Sequence, residues 1–189
     1  MSNHTVIGIT GRTGSGKSHA CQWIVTNRSA VEHIDCDHIG HRVLEMPAIK
    51  PQLIAAFGDQ IHVNNRIDRS VLGAIVFNDH DQLRQLNDIV HPVICTEVDA
   101  IIAATDCPLI LIEGALIHQV GLEHRCHHTL CIDSPTEAIL KRRPTAERIL
   151  SKQPQPNDYI NMCTHTIKNN ASIALFEEKL SQLLDRLSL

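Results

Sequence analysis

The sequence predicts an α/β fold, a doubly wound parallel sheet of five strands interrupted by one helical insertion and one short lid. Three observations predict it. Short apolar runs bounded by polar or turn residues recur at 5–10, 31–35, 109–113, 129–133 and 164–168, with helical stretches between them. Alternation of that kind lays a parallel sheet beneath covering helices. A long stretch at about 46–105 separates the second and third runs. It carries Leu72, Ile75 and Val76, then Leu83, Leu86, Ile89 and Val90, at helical spacing. Finally, a glycine-rich turn joins the first run directly to a helix.

The elements follow in order. The first strand, ending near Thr10, feeds the glycine turn and a helix over 19–27. The second run ends in Asp35-Cys36-Asp37, at the sheet edge that faces the ligand crevice in doubly wound folds. The stretch 46–105 reads as an inserted helical subdomain between core segments at about 1–45 and 106–189. Within it Pro92 marks a helix start or a kink, because proline lacks the amide hydrogen and clashes with the preceding turn. Pro144, Pro154 and Pro156 among polar residues make 143–156 a short, mobile excursion, the core of a lid at about 141–156. The last helix, 172–187, spaces Ile173, Leu175, Phe176, Leu180, Leu183 and Leu184 for packing.

With 189 residues, 43% of them hydrophobic and 20% charged, the chain is expected to form one domain with a sizeable core. A net charge of -4 offers no basic field for a nucleic-acid backbone. Seven scattered cysteines, without a Cys-x-x-Cys pair, read as reduced thiols of a cytoplasmic protein. No window approaches eighteen apolar residues and no basic leader precedes the first strand, so membrane spanning and secretion are not expected.

The chemistry is carried first by Gly11, Arg12, Thr13, Gly14, Ser15, Gly16, Lys17 and Ser18, which fit G-x-x-x-x-G-K-[ST]. The glycines let successive N–H groups curl around a β-phosphate, and the helix opening at His19 adds its partial positive charge. Lys17 neutralises β- and γ-oxygens, and Ser18 can ligate Mg²⁺. ATP with Mg²⁺ is thus the expected nucleotide. Asp37 can accept or orient the proton of an attacking hydroxyl, while Asp35 can hold Mg²⁺ through water or fix the loop. Asp37 can equally cap the helix that follows it. Glu113 closes the third strand where a water-linked metal carboxylate belongs, or is a solvated strand end. Lys141, Arg142, Arg143 and Arg148 suit a closing lid that neutralises charge in the transition state, or a solvated helix face. The stretch from His124 to Cys131, with Cys126, His127 and His128, invites a zinc site but lacks a second ligand pair.

Taken together these residues resemble the dephospho-coenzyme A kinase family over nearly the whole chain. Asp35-Cys36-Asp37 is similar to the family's Asp-x-Asp, Arg69 to Phe77 to its Arg-x-x-Leu...Val-Phe helix, and Leu86 to Pro92 to its Leu...His-Pro element. The resemblance implies a P-loop kinase core whose helical insertion binds the coenzyme A precursor. It also implies transfer of the γ-phosphate of ATP to the ribose 3′-hydroxyl of dephospho-CoA. Asp37 is then the base or hydroxyl-orienting group, Arg69 and His91 lie near the acceptor, and Asn169 and Asn170 lie beside adenine. Taken alone, Arg69 reads as a surface ion-pair partner and His91 as a helix-start residue. Two motifs depart from the family pattern. The third strand continues Glu113-Gly-Ala-Leu116-Ile-His-Gln119 without the family's proline and trailing acid, and the lid is short and lacks its Arg-Asp pair. The sequence also leaves open another P-loop kinase acting on a nucleoside, nucleotide or related metabolite, and a regulator that binds ATP without transferring phosphate.

Overall fold

The computed structural model describes residues 4–189. The chain forms two compact units, one running up to Asp35 and resuming at Ile102–Leu189, the other Cys36–Ile101. In chain order the first unit opens with β1 (Thr5–Thr10), α1 (Lys17–Asn27) and β2 (Val31–Asp35). The second unit holds α2 (Cys36–Leu44), α3 (Lys50–Phe57), a small hairpin of β3 (His62–Val63) and β4 (Arg66–Ile67), α4 (Arg69–Val76) and most of α5 (His80–Ala104). The first unit then resumes with β5 (Leu109–Glu113), α6 (Ile117–Val120), β6 (His128–Asp133), α7 (Thr136–Arg142), α8 (Glu147–Leu150), α9 (Pro156–Met162), β7 (His165–Lys168) and α10 (Ile173–Arg186).

The five strands of the first unit pair in the order β2-β5-β1-β6-β7, all parallel. Parallel strands are covered on both faces, so their sequences read as apolar runs, and β5 is buried at every position. On one face Ile7, Ile9, Leu109, Leu111, Leu130, Ile132 and Ile167 meet Ala20, Cys21 and Ile24 of α1 and Phe176, Leu180, Leu183 and Leu184 of α10. On the other face the sheet lies so close to its cover that a Cβ on Gly8 would stand 2.8 Å from both Cys126 Sγ and Ile117 Cδ1. The fold class is therefore as expected from the apolar runs. The last helix is also where its periodicity put it, with Ser172 as N-cap accepting a bond from the Leu175 amide at 3.3 Å.

The second unit is helical around its own core, which includes Ile39, Val43, Leu53, Phe57, Leu72, Val76, Val90, Ile94 and Val98. Asp68 caps α4 by accepting bonds from the amides of Ser70 and Val71. Arg42 of α2 reaches Glu97 of α5 at 2.9 Å.

Three local expectations are made sharper by the structure. Pro92 does not begin a helix, because α5 runs through it for 25 residues, and His91 is accordingly not a helix-start residue. One amide bond is absent there, but Val90, Ile94 and Val98 bury an apolar stripe on either side of it, and burial of that stripe holds the helix together. The excursion after Arg143 is largely helical, a 3₁₀ turn at Pro144–Ala146 leading into α8 and later α9, with Pro144 opening the 3₁₀ turn and Pro156 opening α9, where no amide is needed. The first helix starts at Lys17 and not His19, because Gly16 serves as its N-cap.

Candidate active site

The glycine turn sits at the carboxyl end of β1, where the sheet order changes direction between β5 and β6, the edge at which open parallel sheets bind ligands. Its shape depends on two glycines. Gly11, at φ 138°, passes so close to the Ile132 carbonyl that no Cβ fits. Gly16, at φ 111°, would place a Cβ 2.5 Å from the amide nitrogen of Asn169. Only glycine combines that backbone conformation with so close an approach.

Asn169 is the clamp on this turn. Its side-chain amide donates to the Ser15 carbonyl at 2.8 Å, and its backbone N–H is held by Asp133 O at 2.7 Å. The buried Ser15 hydroxyl has no hydrogen-bond partner in the protein, as befits a group in an anion cradle. Lys17 reaches back to the carbonyls of Gly11 and Arg12 at 3.0 and 3.2 Å, which holds its ammonium over the loop. Thr13 offers its amide to Gln153 Oε1 at 2.8 Å, so the segment between α8 and α9 is tied to the loop.

Ser18 and Glu113 come together across the sheet edge, with Ser18 Oγ donating to Glu113 Oε1 at 2.6 Å. The second carboxylate oxygen lies 3.0 Å from His33 Nε2. Glu113 is only 6% exposed, which removes the reading of it as a solvated strand end. Burial pushes its pKa up, but bonds from His33 and Ser18 and the charges of His33 and Lys17 outweigh burial and hold it below the ordinary value. Asp35 stands opposite Glu113 in the β2–β5 register.

A cavity of about 530 Å³ opens beside the turn, a size suited to a nucleotide. Gly14, Gly16, Lys17, Ser18 and His19 line one side, Lys141, Arg142 and Arg143 another, and Asn169, Asn170, Ala171 and Phe176 a third. The basic run is therefore not simply a solvated helix face. Arg142 donates to Ser134 Oγ and, at 3.0 Å, to the Ala138 carbonyl, and these bonds fix its place on the cavity wall. Arg12 is different. Its guanidinium is buried and bonded to Ser134 O at 2.8 Å and Thr136 Oγ1 at 2.9 Å, so it braces the turn from behind.

Asp37, Arg69 and His91 belong to the second unit. Asp37 lies within the first turn of α2 and is not its N-cap, because that helix already begins at Cys36. Arg69, with His38, His41, Glu45, Arg66 and Asp68, lines a cavity of about 900 Å³ in that unit. His91 is half-buried in α5, and burial lowers its pKa against the opposing pull of Asp88.

Several partners escaped sequence reading. His33 was discoverable, since it precedes Asp35 by two residues and a strand's alternation puts both on one face. Ser134 and Gln153 carried no signal. The suggested zinc stretch does not converge: His127 Nδ1 accepts the Val6 amide at 2.9 Å, and Cys131 donates to Cys163. All seven cysteines are free thiols. Among the described residues the donors that do converge are Cys21, His33 and Glu113.

The family model for dephospho-CoA kinase matches residues 5–174, nearly the whole chain. The chain belongs to the dephospho-CoA kinase family. Its similarity to dephospho-CoA kinases extends end to end: that of Borrelia garinii is 30% identical, with 98% of this chain and 95% of the relative aligned. That of Oceanobacillus iheyensis is 31% identical, with 96% of each chain aligned. Among solved structures, one from Thermus thermophilus superposes with a TM-score of 0.82 at 28% identity, covering 97% of this chain and 98% of that one. Membership makes ATP the expected phosphoryl donor and a small molecule the acceptor, in keeping with the phosphate turn. Among the described residues no helix is long and apolar enough to cross a membrane.

Proposed function

We propose that this protein transfers the γ-phosphoryl group of ATP to the ribose 3′-hydroxyl of dephospho-CoA, yielding coenzyme A and ADP. Family membership over 170 positions carries the reading. The convergence of Lys17, Ser18 and the basic wall on one cavity, with Glu113 hydrogen-bonded to Ser18, supports it.

In this reading the turn from Gly11 to Ser18 holds the phosphates, and His19 and Asn169 border the nucleoside. Lys17 exchanges its two loop carbonyls for β- and γ-oxygens. Arg142 or Arg143 faces charge that develops during transfer. Ser18 and Glu113 offer hard oxygen donors 2.6 Å apart, which fit Mg²⁺, Ser18 directly and Glu113 through water. Bound there, Mg²⁺ would neutralise phosphate charge. Asp37 takes the proton of the 3′-hydroxyl as its oxygen bonds to the γ-phosphorus and the bond to the bridging oxygen of ADP breaks. Asp35, Arg69 and His91 position the acceptor, with the helical segment at about 46–105 as its docking subdomain and the cytoplasm as its compartment.

The test is ADP release by the purified protein with Mg-ATP, comparing dephospho-CoA with adenosine, a nucleoside monophosphate and no acceptor, alongside Asp37→Ala. Release specific to dephospho-CoA and lost in the variant is the expected result. ATP binding without release from any acceptor would refute transfer and leave a nucleotide-binding regulator.

A further inference from the structure

Behind the Ser18–Glu113 pair stand Cys21 and His33, two donors to which the proposed transfer gives no role. Cys21 Sγ, His33 Nε2 and a carboxylate oxygen of Glu113 all lie within 4.8 Å of one another. The three come from different elements. Cys21 is one turn beyond Lys17 on α1, His33 is on β2, and Glu113 ends β5. Cys21 is fully buried and donates its thiol hydrogen to Glu113, and His33 Nε2 stands 3.0 Å from the same carboxylate. Lys17 and Asp35, of opposite charge, also face Cys21.

We propose that Cys21, His33 and Glu113 form a binding site for a thiophilic divalent cation of the Zn²⁺ class, which draws Glu113 away from Ser18 and so opposes nucleotide binding.

The donor set decides the class of ion. Mg²⁺ takes oxygen ligands, whereas sulfur, imidazole nitrogen and carboxylate oxygen together suit Zn²⁺ and its congeners. At zinc–ligand distances of about 2.0–2.3 Å, tetrahedral donors stand roughly 3.3–3.8 Å apart, so the cluster closes by about 1.5 Å at most. Three protein ligands leave the fourth position to water. Charge also balances: on binding, the Cys21 thiol loses its proton to solvent, and thiolate plus carboxylate neutralise the dication, which a buried site demands. Entry is from the sheet edge, because β2 is the outermost strand and the His33 side chain is 29% exposed.

The effect on nucleotide binding rests on the kinase reading, whereas occupancy of the site does not. The test therefore reads the metal itself. Titration of the full chain with Co²⁺ is expected to give one equivalent of bound ion, a thiolate-to-cobalt charge-transfer band, the intense visible bands of a four-coordinate ion, and release of about one proton, as thiolate ligation requires. Zn²⁺ should bleach the spectrum. Cys21→Ala should abolish the charge-transfer band, and Cys163→Ser should leave it intact. His33→Gln keeps the thiol and is expected to weaken Co²⁺ at least about tenfold, so it decides the matter if the core substitution fails to fold. Absence of a thiolate band, its persistence in Cys21→Ala, or unchanged affinity in His33→Gln would overturn the proposal and leave the cluster a hydrogen-bonded brace for Glu113.

Discussion

Replacing Glu113 with Gln preserves shape and removes charge at the point where α1, β2 and β5 meet. The native carboxylate accepts the Ser18 hydroxyl at 2.6 Å, lies 3.0 Å from the His33 imidazole, and takes the Cys21 thiol. Glutamine keeps one acceptor oxygen for Ser18, and its NH₂ can donate to His33 once that ring presents its lone pair. What is lost is charge assistance, about 1–1.5 kcal/mol for each of the two short bonds, partly offset because a buried charge no longer has to be desolvated. A net loss of about 2 kcal/mol corresponds to a fall in Tm of about 4–8 °C for a chain of this size. The pH dependence fixes the cause. Because the folded carboxyl titrates below its ordinary value of 4.5, its contribution is fully present above about that pH and is lost as pH falls through the folded value. The gap in Tm between Glu113→Gln and the parent should therefore be widest near neutrality and narrow in acid. Thermal melts across that range are the assay, with Ser18→Ala and the double variant completing a cycle whose two effects overlap. Equal Tm at pH 7, a gap that does not narrow, or strictly additive single effects would refute the argument.

Two further outcomes follow from the same geometry. Asn169→Ala removes the bond to Ser15 O while leaving the backbone bond to Asp133, so KM for ATP should rise severalfold and KM for dephospho-CoA should hold, with a stability loss of about 1 kcal/mol in denaturant titrations. In α5, burial sets the His91 pKa below its ordinary 6.5, so the unfolded chain takes up a proton before the folded one and stability declines as pH falls through about that value. His91→Gln should flatten this decline in urea titrations between pH 7 and 5, and parallel curves for the two proteins would show that His91 plays no part in it.

Much of this was legible in the residues themselves. Runs of β-branched and aliphatic residues marked β1, β5 and β6 because a strand covered on both faces has no polar side to break its pattern, whereas the edge strands β2 and β7 carry polar residues and are only partly buried. The phosphate turn was legible because its work is done by backbone amides and one lysine, and the glycines that free that backbone occur at fixed spacing. The final helix announced itself through its periodicity. Tertiary structure alone decided the rest. No local rule says that α5 continues through Pro92, since that depends on what its apolar stripe is buried against. Nor does any spacing bring Cys21, His33 and Glu113 together, as they lie on three elements separated by up to 92 positions and meet only because β2 and β5 pair in one particular register beneath α1. Local chemistry is written in the order of residues, but the state of a buried carboxylate depends on which donors the fold carries to it from elsewhere in the chain.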